Sequence, residues 1–126
     1  MLTEVLWVAG GGALGATARY LVTTGVRAWL GGHPAWGTGV VNVTGSFVLG
    51  VVSAVVAELA LPDHVRLLVG VGFLGAYTTF STFALDTVTL AGASVPAAIV
   101  NALANNALSL LAVLAGLAAG RALSGG

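Results

Sequence analysis

The side chains able to do chemistry in this 126-residue chain are gathered in one stretch, Gly72-Phe73-Leu74-Gly75-Ala76-Tyr77-Thr78-Thr79-Phe80-Ser81-Thr82-Phe83. Thr78, Thr79, Ser81 and Thr82 bring hydroxyls, Phe73, Phe80 and Phe83 bring rings, and Gly72 and Gly75 loosen the backbone ahead of them. The same kind of group recurs sparsely elsewhere. Asn42 and Ser46 are four apart, and Asn101, Asn105 and Ser109 repeat every four residues with Asn106 beside them. Residues four apart share a helix face, so the last set draws a polar stripe along half of one helix. Amides and hydroxyls offer hydrogen bonds without net charge. Set deep among Val, Leu, Ala and Gly, they must find a partner on another helix or in a permeating solute.

The elements that must hold these groups follow from composition. The chain is 58% hydrophobic and 6% charged, with a mean hydropathy of +1.05. A soluble domain has roughly 25% charged residues, so this chain cannot cover a water-facing surface and reads as a membrane protein. A spanning helix takes about 20 apolar residues. The length therefore holds four spans, expected at roughly 2–26, 37–61, 65–90 and 97–121, within a single domain, 1–126. The runs lack the polar–apolar alternation of a membrane β-barrel. Turn signals separate them: Gly31-Gly32-His33-Pro34, Leu61-Pro62-Asp63-His64 and Gly92-Ala93-Ser94-Val95-Pro96.

The third expected span contains the hydroxyl-rich stretch, and there a break is expected. Hydrocarbon has no water to pair the backbone groups that a broken helix frees, so such a segment must be buried in protein or line a cavity. Breaks of this kind mark ion sites in transporters. The alternative is a kinked helix whose Ser and Thr bond back to their own carbonyls. Phe80 and Phe83, three apart, are expected to share a face. Asp86 falls towards the membrane boundary, where a solvated or Thr-capped carboxylate is expected. Gly11 and Gly15, and again Gly116 and Gly120, are GxxxG pairs that let backbones approach closely.

Charge narrows the partners. The formal net charge is zero, with no lysine, four arginines and no cysteine. Nucleic acid is not an expected partner, and disulfides and thiolate metal sites are excluded. His33 and His64 both sit in expected loops and do not suggest a zinc site. Arg19 reads either as a snorkelling anchor beside Tyr20 or as a fixed positive charge at the mouth of an anion path. Excess Lys and Arg normally face the cytoplasm. Four spans put Arg66 and Arg121 on one side and Arg19 and Arg27 on the other, which gives no bias. Such a chain can insert both ways and pair with itself in antiparallel fashion.

These residues resemble a known family, the CrcB/Fluc fluoride channels of bacteria, over nearly the whole chain. The likeness rests on Gly11-Gly12-Ala13-Leu14-Gly15-Ala16-Thr17-Ala18-Arg19-Tyr20, on Gly37 to Phe47 around Asn42, on Thr78-Thr79-Phe80-Ser81-Thr82-Phe83, and on Asn105 with Ser109. The resemblance implies an all-α membrane protein with a broken third helix, an antiparallel dual-topology homodimer with two pores, and a channel rather than an enzyme. It implies that Phe80 and Phe83 meet fluoride along their ring edges, with Asn42 near them and Ser81, Thr82 and Ser109 along a polar track. It places Arg19 near the aqueous vestibule. It also implies a structural sodium held at the dimer axis by the carbonyls of Gly75 and Thr78. Its setting would be the bacterial inner membrane, where export lowers cytoplasmic fluoride. Two positions depart from the family pattern: Ala76, where many members have glycine, and the apolar Val113, where the track can continue.

The residue types suit that reading. Fluoride is small and tightly hydrated, so hydroxyl and amide donors must replace its water. The positive rim of an aromatic ring adds a weaker contact, and weak contacts permit release. A small multidrug-type proton-coupled exporter needs a central carboxylate, whereas Glu4, Glu58, Asp63 and Asp86 are expected near ends or loops. A purely structural subunit would explain the GxxxG pairs but not the polar stripe.

Overall fold

A computed structural model describes residues 1–125 as an all-helical chain. Long apolar runs become helices because only a helix satisfies every backbone group within its own segment in lipid. The first helix, α1, spans Leu2–Leu30, and Gly31 closes it at φ 64 with its N–H on the Arg27 carbonyl. That positive φ is why glycine stands at this turn. The second, α2, spans Ala35–Glu58. The third crossing is composite: α3 (Asp63–Val65), a π-helical segment (Arg66–Leu74), α4 (Gly75–Tyr77), two extended residues and α5 (Phe80–Ala93). The last helix, α6, spans Val95–Ser124. It is capped by the Ser94 hydroxyl, which accepts from the Ala97 amide at 3.3 Å.

Four helical stretches are long and apolar enough to cross a membrane: Leu2–Leu30, Ala35–Glu58, Asp63–Ala93 and Val95–Ser124. The chain is a multi-pass membrane protein. Its burial runs opposite to that of a soluble domain. Leu103, Leu110, Leu111 and Leu114 are exposed on α6, while Thr38, Asn42, Thr79, Asp86 and Asn105 are buried. Lipid solvates the leucines, and the polar groups turn inward to find one another.

Glycine sets how closely the helices meet. A methyl group on Gly11 would overlap the Leu68 carbonyl, and one on Gly15 would overlap the Phe73 carbonyl. So α1 lies directly on the π-helical segment, backbone against backbone. The same holds between α2 and α6, where Gly116 meets the Phe47 carbonyl and Gly50 meets the Val113 carbonyl. Towards Thr38 the glycine contacts stop, and α5 and polar side chains occupy the space between α2 and α6.

Candidate functional site

The site is built where the third crossing comes apart. Thr78 (φ −82, ψ 158) and Thr79 (φ −155, ψ 118) are extended. The break therefore falls three residues after Gly75, which is itself helical. The break was expected within this stretch, which the glycines loosen, and what sets its position lies on another helix. The Asn42 side chain on α2 takes both backbone groups of Thr79. Its Oδ1 accepts the Thr79 N–H at 2.8 Å, and its Nδ2 donates to the Thr79 carbonyl at 3.1 Å. In a continuous helix that N–H would bond to the Gly75 carbonyl. Asn42 diverts it and leaves the Gly75 carbonyl without that donor.

Beyond the break, Thr79 starts the next helix. Its Oγ1 accepts the Thr82 amide at 3.2 Å, an N-cap, and its hydroxyl donates to Thr82 Oγ1 at 3.1 Å. The α5 N-terminus thus opens in the interior of the third crossing, where its unpaired N–H groups and dipole present partial positive charge. Arg19 also reaches this level. Its Nη1 lies 3.5 Å from the Thr78 carbonyl, and among the described residues it forms no ion pair.

A cavity of about 320 Å³ lies beside the break, lined by Asn42, Thr78, Phe80, Phe83, Asn105 and Ser109 among others. Two buried polar atoms here have no hydrogen-bond partner, Asn105 Nδ2 and Ser109 Oγ. Orphaned donors in a buried place are costly, on the order of 1–3 kcal/mol each. Atoms of this kind call for a water or an ion within the cavity as partner. Asn42, by contrast, has no free proton. Its Nδ2 donates to Thr79 and, at 3.3 Å, to Asn105 Oδ1.

The cavity brings together Asn42, Phe80, Phe83 and Ser109 from the expected set, with Thr78. The two rings lie 5.5 Å apart at 58°. They do not share one environment, because Phe83 is 7% exposed and Phe80 73%. Ser81 and Thr82 are exposed on the outer face of α5, away from the cavity lining. Val113, the apolar departure, sits on the cavity wall. Of the two expectations for Asp86, solvated or Thr-capped, the second holds: it is buried and takes a hydrogen bond from Thr38 Oγ1. Sequence reading placed Asn105 in the polar stripe but not among the path residues. The four-residue spacing to Ser109 was the signal that should have included it.

A multi-pass helical membrane protein, with a crossing interrupted at a hydroxyl-rich segment beside a cavity of amides and aromatic rings, is the class defined by this geometry. The family model described as "CrcB-like protein, Camphor Resistance (CrcB)" matches residues 6–117, and the chain belongs to that family. It is 45% identical over 120 residues to "Fluoride-specific ion channel FluC" of Magnetococcus marinus, covering 94% of this chain and 98% of the relative. It is 46% identical over 120 residues to the protein of the same name in Rhodospirillum centenum, covering 94% and 93%. A relative so named in Nitrobacter winogradskyi is 51% identical over 86 residues, 68% of each chain.

Proposed function

We propose that this chain is a passive, fluoride-selective channel that exports fluoride and acts as a homodimer of antiparallel subunits. The observation that carries the reading is the pair of orphaned buried groups, Asn105 Nδ2 and Ser109 Oγ. They share one cavity with the rings of Phe80 and Phe83. Neutral donors and ring edges can replace an anion's hydration shell without trapping it. The names of the relatives supply the identity of the anion.

The roles divide along the hydrogen bonds. Asn42 has both amide protons committed, so it builds the path by holding Thr79 extended and fixing Asn105. Asn105 and Ser109 carry the free groups that meet the ion. The α5 N-terminus adds fixed positive potential at the same level. Phe83 closes the inner side and Phe80 stands at the open side of the cavity, while Ser81 and Thr82 face out of the single chain. The hydroxyls of Ser81 and Thr82, beside a break in the helix, are poorly placed against lipid, which supports a second subunit covering them. The even split of the four arginines supports insertion in both orientations.

A structural sodium fits the residues at the break. The Gly75 carbonyl lacks the Thr79 donor, and the Thr78 carbonyl carries one long contact to Arg19, which leaves a lone pair free. Carbonyl oxygens are suitable ligands for such a cation, whose positive charge would tie the broken crossing of each subunit to the other. Arg19, on the same carbonyl, reinforces positive potential along the approach.

The test is fluoride and chloride efflux from proteoliposomes, measured in parallel with and without a proton gradient. Fluoride release without a proton gradient, with chloride retained, is the expected result. Release that requires the gradient would favour a coupled exporter, and no release of either ion would leave only a structural subunit.

A further inference from the structure

One buried ionisable group has no part in the path just described. Asp86 is 8% exposed and lies one turn beyond Phe83 on α5. Phe83 lines the cavity, yet neither Asp86 nor Thr38 does. The only hydrogen bond to the Asp86 carboxylate among the described residues comes from Thr38 Oγ1, and Thr38 is itself 2% exposed. Among the described residues no cation pairs with it. The described ion pairs are those of the N-terminus with Glu4 and of Arg66 with Asp63, both far from α5 in the chain. The elements packed around it offer little charge. From Ala35 to Ala57, α2 has none, and α6 has none before Arg121. On α1, which meets α2 where Thr23 touches Gly37, Arg19 and Arg27 lie one turn to either side, and His33 is in the following turn; none of the three pairs with Asp86.

A carboxylate this close to an anion path is an obstacle, because like charges a few ångströms apart repel strongly in a medium of low dielectric. We propose that Thr38 is a positioning residue for conduction: its hydroxyl holds the Asp86 carboxylate against α2 and keeps it turned away from the anion cavity. The proposal rests on the reading of that cavity as the fluoride path. The neighbouring hydrogen bond from Asn101 Nδ2 to Thr87 Oγ1, at 2.9 Å, fixes the adjacent turn of α5 to α6. The half-helix is therefore pinned on both sides, and Thr38 alone decides where the carboxylate points. Without its donor, the carboxylate must seek another, and the free groups of Asn105 and Ser109 are unpaired acceptor-seeking groups in the adjoining cavity.

The experiment is initial fluoride efflux from proteoliposomes for wild type, Thr38→Val, Thr38→Ser, Asp86→Asn and the double variant Thr38→Val/Asp86→Asn, each shown by size exclusion to be monodisperse. Thr38→Val should slow efflux by about tenfold, the scale of one unit charge acting across roughly 12 Å at an effective dielectric of about 20. Thr38→Ser keeps the hydroxyl and should match wild type. Asp86→Asn should conduct near the wild-type rate, and in the double variant it should restore what Thr38→Val lost. Wild-type efflux from Thr38→Val, a double variant as slow as Thr38→Val, or loss of efflux in folded Asp86→Asn would each overturn the proposal. Should Thr38→Val not fold, Thr38→Ala with and without Asp86→Asn carries the same test of loss and rescue. Absence of efflux from the wild type would instead remove the channel reading beneath it.

Discussion

The two ends of α2 meet their neighbours in opposite ways. Around Phe47 to Ala54, glycines on both helices bring backbone against backbone, and Gly50, Gly116 and Gly120 leave no room for a methyl group. Around Thr38 to Asn42, contact passes through side chains: Thr38 to Asp86, Asn42 to Thr79 and Asn105. Glycine contacts close space, whereas polar side chains span it and hold it open. In lipid, burial of apolar area gives helices no reason to associate, so packing and hydrogen bonds share the work. Between α2 and α6 this chain assigns packing to one end and hydrogen bonds to the other, and the cavity lies where the two meet, lined along α2 from Asn42 to Leu49.

Substitutions can separate the two halves. The largest effect is expected at the glycine end. Gly116→Val would force a side chain into the Phe47 carbonyl. Overpacking costs about 1–3 kcal/mol even where neighbours can yield, and backbone cannot, so monodisperse protein should be lost on size exclusion. A folded, conducting Gly116→Val would show that the close approach is not needed.

At the polar end the fold should survive and conduction should not. Asn42→Ala removes three hydrogen bonds, each worth about 1 kcal/mol. It also frees the Thr79 amide to return to Gly75. Fluoride efflux should fall about a hundredfold, since each 1.4 kcal/mol is a factor of ten, with elution unchanged. Phe80→Ile and Phe83→Ile should each reduce efflux by about tenfold, the scale of one aromatic contact, with the assembly intact. Wild-type efflux in both would remove the rings from the path.

The smallest effect lies between the two ends. A methyl group on Gly45 would press on the Thr78 methyl and the Tyr77 ring, and so displace the Thr78 carbonyl. With the proposed sodium on that carbonyl, Gly45→Ala should raise the sodium concentration needed for half-maximal efflux several-fold, because cation sites depend on fine carbonyl placement. An unchanged sodium dependence would detach that carbonyl from the cation.

The same contrast explains what the sequence revealed. Four crossings, their turns and both GxxxG pairs are local properties of composition and spacing, and they were legible. The exact break was not. Gly75 carries the local signal, but Thr79 is the residue opened, because Asn42 lies 37 positions away in the chain. The π-helical segment Arg66–Leu74 leaves no mark in residue type, since it accompanies the carbonyls of Leu68 and Phe73 lying on the α1 glycines. Phe80 and Phe83 were expected on one face. Three residues turn a helix through about 300°, and that offset, at the first turn after the break, places one ring inside and one outside. Asp86 was expected solvated or capped by a threonine, and the threonine that caps it, Thr38, lies on another helix 48 positions away in the chain.

The central claim is that the cavity beside the break passes fluoride and little else. Reversal potentials of the protein in planar bilayers, with fluoride on one side and chloride on the other, test it most directly. The account predicts a current that reverses close to the fluoride equilibrium potential and does not move when chloride is varied. A reversal potential that follows chloride or sodium, or membranes that carry no current in fluoride, would contradict it.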